Sequence, residues 1–229
     1  MTLKLYYHPL SSFCHKALIA LYEGNTPFEP VFVDLSDKTS SATLRSLWPM
    51  AKFPVLRDEA RHRTVAEATV IIEYLDAYHP GETRFVPAEA DLAWQARMWD
   101  RFYDLYIQVP MQKIVGDRLR PANAADAFGV DQAKATLQLA YGMIEREMDG
   151  KTWSVGDAFS LVDCAASPAL FYANTAMPFD KAMRNLGGYF DRLMSRPSYA
   201  RVLIEAQPYF KMFPMDVKPV IPGRSNHAG

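Results

Sequence analysis

The sequence is poor in cysteine, has no excess of charge of either sign and contains no long hydrophobic run. Its 229 residues include only Cys14 and Cys164, too few for a disulfide framework or a cysteine-rich metal site, and free thiols are typical of reducing compartments. Lysine and arginine number 25 against 26 aspartates and glutamates, so the basic excess that nucleic-acid binding needs is absent. The most apolar stretch, 164–179, is interrupted by Pro168 and Pro178 and is too short and polar to cross a bilayer.

The first residues run into a turn containing proline and serine before a signal-peptide core could form. We therefore expect a cytoplasmic protein that binds neither nucleic acid nor membranes. The composition does contain 49% hydrophobic residues, 13% aromatic residues and 11 methionines. A chain of this length should bury about 70% of its unfolded surface. The apolar surplus thus predicts a large core together with an apolar pocket or interface.

Short extended segments alternate with helical ones before residue 80. Ser11 and Ser12 precede an apolar-periodic run that Gly24 closes, which is typical of a helix with a serine N-cap and a glycine stop. A polar stretch at 36–43 separates two such units. The pattern predicts helices at 13–21 and 67–78 and strands at 3–7, 28–35, 53–56 and 63–66. The order βαβ followed by ββα predicts one small open α/β sheet.

From residue 89 onward the pattern predicts helices and no strand. Apolar residues recur at helical spacing in 89–119, 131–149 and 183–196. Pro80 and Gly81 are typical of a linker, and the last residues contain prolines without periodicity, as in a strap or a disordered tail. The sequence therefore predicts an α/β domain (1–78), a linker (79–88), an all-α domain (89–213) and a proline-containing tail (214–229).

Candidate chemistry lies where the first strand meets the first helix. The segment from Ser11 to Cys14 resembles the C-x-x-C turn of thioredoxin and glutaredoxin, with serine in the place of the nucleophile. A helix N-terminus favours a thiolate, and a serine hydroxyl can donate a hydrogen bond to a thiolate supplied by a ligand. The alternative is that Ser11 only caps the helix.

Two further segments suggest a peptide-like ligand. A cis bond before Pro54 would leave the backbone of Phe53 free to pair with an extended peptide, although an edge-strand proline is the simpler explanation. Glu67 opens the next helix, where a carboxylate can pair with a ligand ammonium while helix N–H groups bind a carboxylate. The alternative is that Glu67 only complements the helix dipole.

Together these segments resemble the glutathione S-transferase family, and the resemblance covers nearly the whole chain. The family's strand–turn–helix opening is similar to YYHPLSSFCHK (6–16), its N-P-x-G-K-V-P-x-L segment to WPMAKFPVL (48–56), and its E-S-x-x-I-x-x-Y-L helix to EATVIIEYL (67–75). A capping-box segment of its second domain is similar to GDAFSLVD (156–163), with Ser160 as the cap. The resemblance implies a thioredoxin-like N-terminal domain with a mixed four-stranded sheet, an all-α C-terminal domain and a homodimer.

Carried over residue by residue, the resemblance implies a glutathione-dependent transferase. Ser11 would stabilise the thiolate of glutathione, the cosubstrate, for attack on a small apolar electrophile, with no metal involved. Phe53, held before a cis Pro54, would pair through its backbone with the cysteinyl unit. Lys52 would reach the glycyl carboxylate.

The γ-glutamyl group is implied to bind at the start of the helix that follows the last strand. Glu67 would take its ammonium and the N–H of Ala68 its carboxylate. The family usually has serine where Ala68 stands, and losing that hydroxyl costs about 1–1.5 kcal/mol of binding, roughly tenfold in affinity. Thr69 is a poor substitute because successive helical side chains point apart.

Other assignments stay open for several residues of the first turn. Tyr7 ends the first strand, where other classes place a catalytic tyrosine, and Ser12 is a second rival as thiolate activator. Cys14 is either the redox centre of a glutathione-dependent disulfide reductase or a small buried hydrophobe. His8 and His15 have no third ligand nearby, so no metal site is predicted.

The aromatic surplus suggests residues for an apolar electrophile pocket. The candidates are Leu10, Tyr103, Tyr106 and Phe210, together with Phe213. Their helical spacing is equally well explained by core packing. A non-catalytic glutathione- or ligand-binding protein on the same scaffold is the alternative function.

Overall fold

The computed structural model describes residues 2–223. Its first elements are β1 (Leu3–Tyr7), α1 (Ser12–Glu23), β2 (Glu29–Phe32), α2 (Lys38–Leu47), β3 (Val55–Asp58), β4 (Arg63–Ala66) and α3 (Ala68–Tyr78). The sheet has the order β2-β1-β3-β4; β1 is parallel to β2, and β3 is antiparallel to both β1 and β4. This confirms the predicted thioredoxin-like domain with a mixed four-stranded sheet.

Helix α1 begins and ends where the sequence predicts. Ser11 has extended backbone angles and its Oγ accepts the N–H of Cys14, while the N–H of Gly24 bonds to the carbonyl of Ala20. All residues from Cys14 to Leu21 are buried, because α1 packs against α3 and against α7 and α9 of the second half. The helix therefore holds its N-terminus in a fixed position at the end of β1.

Helix α2 is an element that the sequence pattern does not predict. Asp37 caps it by accepting the N–H of Ser40 at 2.7 Å, within the stretch expected to be polar and irregular. Leu44 is its one buried residue, Leu47 is partly buried beside it, and most of the helix faces solvent. A helix with so narrow an apolar face gives little periodicity, which explains the omission.

In the second half, the described residues form helices and no strand. These are α4 (Ala90–Phe102), a π-helical segment (Tyr103–Gln108), α5 (Val109–Asp117), a 3-10 turn (Ala122–Ala124), α6 (Ala127–Glu147), α7 (Leu161–Ala176), α8 (Arg184–Ser195), α9 (Pro197–Ala206) and a 3-10 segment (Gln207–Met212). The predicted all-α domain is confirmed. The single helix expected over 89–119 instead contains the π-helical segment, which joins α4 to α5.

Helix α7 is the centre of the helical half. Every residue from Leu161 to Ala173 is buried, and the helix packs against α1, α4 and α8. The predicted capping box is present: Ser160 Oγ accepts the N–H of Val162, and the Asp163 carboxylate accepts the N–H of Ser160 at 2.8 Å. Tyr189 also donates to Asp163 at 2.6 Å, which ties α8 to the start of α7.

The bounds of the two domains stay a prediction. The two halves of the chain are in direct contact, since α1 packs on α7 and α9. Across this contact Arg196 pairs with Glu23 at 2.6 Å. In the predicted tail, Ile221 is buried, and residues 224–229 lie outside the described part of the chain. Within residues 2–223, no helix combines the length and apolar character needed to cross a membrane.

A fully buried carboxylate lies at the end of β3, a central strand of the N-terminal sheet. Asp58 ends β3 and accepts hydrogen bonds from the Tyr74 hydroxyl at 2.9 Å, from His79 Nε2 at 2.8 Å and from the Arg61 N–H at 3.1 Å. Burial would raise the pKa of Asp58, but the hydrogen bonds from His79, Arg61 and Tyr74 outweigh it and lower the pKa to about 2.

We expect Asp58→Asn to lower the free energy of unfolding by about 2 kcal/mol at pH 7. Because the pKa in the folded protein lies below that in the unfolded chain, the stabilisation is complete above about pH 4 and disappears toward pH 2. Urea unfolding of both proteins from pH 7 to pH 3 measures this. Glu59→Gln, at a surface ion pair with Arg57, is the control and should change stability by less than about 0.5 kcal/mol. A pH-independent difference would contradict the assignment.

Candidate active site

A cavity of about 320 Å³ lies between the N-terminal sheet domain and the helices that follow it. Five residues proposed from the sequence line it: Lys52, Phe53, Pro54, Glu67 and Ala68. They come from the loop before β3 and from the start of α3, which are distant in sequence but adjacent in the fold. The structure therefore brings these five together.

The cavity also contains residues that the sequence pattern did not single out. These are Phe13, Trp48, Arg101, Asp104, Leu105, Val109 and Gln112. Five of them belong to α4, the π-helical segment and α5, whose positions relative to α3 depend on tertiary packing. The sequence carries only a weak signal for them, an apolar row within 89–119 that includes Leu105 and Val109.

Ser11 stands at the N-terminus of α1, two residues before Phe13 of the cavity wall. Its Oγ accepts the N–H of Cys14 at 3.4 Å, so the serine is an N-cap, as the simpler interpretation predicts. Capping uses a lone pair and leaves the O–H free to donate, so it is compatible with binding a thiolate. Ser12 is only 6% exposed, which makes its hydroxyl less accessible than that of Ser11.

The other groups of this turn are poorly suited to activate or replace a ligand thiol. Burial and the nearby Glu205 raise the pKa of Tyr7. Cys14 is fully buried, and burial raises the pKa of its thiol to about 12. At neutral pH Cys14 is a protonated thiol out of contact with solvent, which fits a small buried hydrophobe.

An aromatic cluster that the sequence did not predict supports the turn before α1. His8 Nδ1 accepts the N–H of Leu10 at 3.1 Å, and the His8 carbonyl accepts the N–H of Ser11 at 3.0 Å. The imidazole ring lies 5.3–6.0 Å from the rings of Phe32, Phe53 and Tyr209. These contacts couple the position of Ser11 to that of Phe53.

The peptide bond between Phe53 and Pro54 is cis, as the resemblance implies. Phe53 lies just outside the β1–β3 ladder, which begins at the pair Tyr6–Val55. Within residues 2–223 no hydrogen-bond partner occupies its N–H or its carbonyl. Both groups are available to an extended ligand in the cavity.

Glu67 precedes α3 with a φ of +69°, an unusual value for a residue other than glycine. Such a backbone costs about 1–3 kcal/mol and is typical of functional sites. The Glu67 side chain makes no capping hydrogen bond, so its carboxylate is exposed and unoccupied by the helix. Ala68 is 6% exposed and starts the first turn of α3 beside it.

A buried charge cluster lies behind this turn. Lys16 of α1 is 1% exposed, and its Nζ lies 2.6 Å from Asp100 and 2.9 Å from Asp104. It also donates to the Thr69 hydroxyl at 2.9 Å, and that hydroxyl donates to Asp100 at 2.8 Å. The Arg101 guanidinium contacts both carboxylates at 2.6 Å. Burial and the neighbouring Asp100 raise the pKa of Asp104, which Lys16 opposes.

The predicted electrophile pocket needs correction. Tyr103 is 1% exposed, and Phe210 and Phe213 are each 5% exposed, so these three aromatic residues pack in the core. Tyr106 is 52% exposed but lies outside the cavity lining, and Leu10 packs against the core. The core interpretation is therefore the correct one for Tyr103 and Phe210.

An apolar wall is present in the cavity nonetheless. Phe13 supplies it from α1, while Leu105 and Val109, 51% and 48% exposed, supply it from the π-helical segment and the start of α5.

Among the described residues, no group of three His, Cys, Asp or Glu is arranged to hold a metal ion. His15 is buried with its Nε2 against the carbonyl of Pro9 at 2.5 Å.

Two family models match the chain. The glutathione S-transferase N-terminal domain matches residues 5–83, and the glutathione S-transferase C-terminal domain matches residues 102–197. Together they cover more than half of the sequence, in the same order as the two halves of the fold. The chain belongs to the glutathione S-transferase family.

Solved structures and one curated relative extend this comparison. The transferase from Methylobacillus flagellatus KT, with glutathione bound, has a TM-score of 0.80 at 22% identity and covers 87% of this chain and 98% of its own. The transferase from Methylobacterium radiotolerans, in complex with glutathione sulfonate, has a TM-score of 0.76 at 28% identity over 87% and 93%. The glutathione S-transferase-like protein LUC7 of a Fusarium species is 27% identical over 56% of this chain, a match that spans 58% of that relative.

Proposed function

We propose that the protein is a glutathione-dependent transferase that activates the glutathione thiolate at the N-terminus of α1 for attack on a small apolar electrophile. One observation carries the proposal: a single cavity gathers Lys52, Phe53, Pro54, Glu67 and Ala68 beside that helix terminus. Similar structures that hold glutathione or its sulfonate support it.

In this proposal glutathione lies extended along the cavity. Glu67 pairs with the γ-glutamyl ammonium, the free backbone of Phe53 pairs with the cysteinyl unit, and Lys52 faces the glycyl carboxylate. The sulfur then lies toward Ser11, whose O–H donates to it. The fixed N-terminus of α1 adds its positive dipole, so that the thiol loses its proton to solvent near neutral pH.

The reaction requires little more than a positioned thiolate. An electron pair of the thiolate sulfur forms the new C–S bond to the electrophilic carbon. A leaving group such as halide departs with the electrons of the bond that breaks. Phe13, Leu105 and Val109 offer an apolar surface on which such an electrophile can rest.

Titration with glutathione tests the proposal. Thiolate absorbs in the ultraviolet where thiol does not, so a saturating rise in absorbance near pH 7 is expected, together with conjugation of a model aryl halide. Binding without that absorbance and without conjugation would favour a non-catalytic glutathione-binding protein. The absence of a hydroxyl at Ala68 is the feature that favours that second candidate.

A homodimer is part of the proposal, and an exposed face of α3 and α4 is its candidate interface. Val70, Trp94 and Met98 are 51%, 55% and 49% exposed, and Arg97 joins the two helices by pairing with Glu73 at 2.8 Å. Apolar side chains of this size in one surface are typical of association sites. A second copy of the chain is the partner expected from the family.

We expect Trp94→Glu combined with Met98→Glu to convert the protein to a monomer. Two charges placed at an apolar interface must be desolvated on association, which weakens it by several orders of magnitude. Light scattering should then give one chain mass of 25.9 kDa in place of twice that value. Phe128→Glu, at a residue 75% exposed on α6, is the control and should leave the dimer intact. A wild-type monomer at micromolar concentration would contradict the proposal.

A further inference from the structure

The first turn of α3 lacks the hydroxyl that the family usually supplies to the γ-glutamyl group. Ala68 is 6% exposed and can offer only its backbone N–H to a carboxylate. The γ-glutamyl group carries an ammonium and a carboxylate on the same carbon, and Glu67 can pair with the ammonium only. A second donor for the carboxylate must therefore come from another element of the cavity wall.

Arg101 of α4 is the cationic side chain beside this turn. It lines the same cavity as Glu67 and Ala68. Its Nη2 donates to the hydroxyl of Thr69, the residue after Ala68, which fixes the guanidinium against the first turn of α3. The side chain is nevertheless 49% exposed, so part of the guanidinium faces the opening.

One edge of the guanidinium is anchored and the other is free. Nε donates to Asp100 at 3.0 Å, and Nη2 donates to Asp100 and Asp104 at 2.6 Å each. Among residues 2–223, Arg101 Nη1 donates no hydrogen bond. Guanidinium has five N–H donors in a rigid plane, so Nη1 retains two donors whose direction is already fixed.

The charges around Arg101 leave it able to bind an anion. Lys16 contacts the same two carboxylates, Asp100 and Asp104, so two cations face two anions and the cluster is neutral. Glu67 adds one negative charge at the mouth, which the ligand ammonium balances. The ligand carboxylate then meets the N-terminus of α3 and the free edge of Arg101.

We propose that Arg101 binds the α-carboxylate of the γ-glutamyl group through Nη1, together with the N–H of Ala68, in place of the hydroxyl missing at residue 68. The inference rests on the proposed glutathione site and names a further residue that determines its specificity. Anchoring by Asp100 and Asp104 makes the donor preorganised, so little side-chain entropy is lost on binding.

The test compares two ligands on one variant. Arg101→Gln should raise the dissociation constant for glutathione about 10- to 100-fold, the range for a charged hydrogen bond. It should leave binding of γ-aminobutyryl-cysteinyl-glycine, which keeps the amine but lacks the α-carboxylate, unchanged within about twofold. Arg118→Gln, at an exposed arginine outside the cavity, is the matched control and should change neither constant. Equal losses for both ligands would overturn the inference.

Two further variants distinguish the loss of a ligand contact from a loss of folding. Arg101→Lys keeps a positive charge beside Asp100 and Asp104 but cannot extend a second nitrogen toward the ligand, so the same selective loss is expected. Ala68→Ser should restore about tenfold affinity in the Arg101→Gln background and add less than about threefold to the wild type. An equal gain in both backgrounds contradicts the inference. Failure of the wild type itself to bind glutathione would overturn the proposed function and, with it, this inference.

Discussion

Replacing Ser11 by alanine is expected to lower kcat/KM for conjugation of glutathione to an aryl halide about 100-fold at pH 6.5. A hydrogen bond from a hydroxyl to a thiolate contributes about 1.5–3 kcal/mol, and it acts on the thiolate and not on the neutral thiol. Its loss therefore raises the pKa of the bound thiol toward its ordinary value of about 8.5. The thiolate fraction at pH 6.5 falls in proportion.

The pH dependence separates this role from the capping role of Ser11. Alanine also removes the N-cap and costs about 1 kcal/mol of stability, but a folding defect is independent of whether the ligand is thiol or thiolate. If Ser11 stabilises the thiolate, the rate profile of the variant shifts to higher pH by about 1–2 units. The deficit then shrinks above pH 9, where both proteins hold thiolate. Ser11→Thr, which keeps a hydroxyl and a cap, should recover most of the activity.

Matched substitutions in the same turn identify the activating group. Ser12→Ala, Tyr7→Phe and Cys14→Ser should each keep more than about half of the wild-type kcat/KM, because their groups are buried or have raised pKa values. Loss of activity in Cys14→Ser with full activity in Ser11→Ala would instead favour the disulfide reductase. Loss in Tyr7→Phe would move the assignment to the end of β1.

Local sequence signals were sufficient wherever one segment determines its own structure. The serine cap of α1, the hairpin that ends at Ala66 and the capping box at Ser160 all depend on residues within a few positions of one another. Helix α2 was missed because its one buried residue, Leu44, provides no periodic apolar face. These outcomes follow from how much of each element's stabilisation is local.

The residues of the candidate site likewise divide into those that could be named from the sequence and those that depend on tertiary packing. The five cavity residues named in advance come from the resemblance to the family, whose motifs lie in two short segments, before β3 and at the start of α3. Arg101 and Asp104 were missed because nothing in the 89–119 pattern indicates which part of a long helix meets α3. Tyr103 is the opposite case, a residue that was proposed for the site but lies in the core. Its helical periodicity is that of a core residue, and the structure shows it buried.

Replacing Lys16 by methionine is expected to lower the free energy of unfolding by about 3–5 kcal/mol at pH 7. Lys16 is 1% exposed and Asp100 is fully buried, so the variant leaves a carboxylate without its nearest cation in a site of low dielectric. Arg101 remains, but it is half-exposed and contacts the outer side of the pair. Methionine fills a similar volume, which keeps a cavity from adding to the loss.

Urea unfolding measures this loss, and its pH dependence identifies the cause. The pKa of Asp104 is already raised by burial and by Asp100, and removing Lys16 raises it further. A carboxyl group whose folded pKa exceeds its unfolded value binds its proton more tightly in the folded state, so its destabilisation grows as the pH rises above about 4. The Lys16→Met deficit should therefore be smaller at pH 5 than at pH 7.

The control and the compensating variant separate charge from packing. Lys4→Met, at a part-exposed lysine that faces Glu29 and Glu59 at 3.8–3.9 Å, should cost less than about 1 kcal/mol. Adding Asp104→Asn to Lys16→Met should recover part of the lost stability, because it removes one of the two carboxylates that the lysine neutralised. A deficit that is the same at both pH values and is not relieved by Asp104→Asn would mean that Lys16 acts only by filling space.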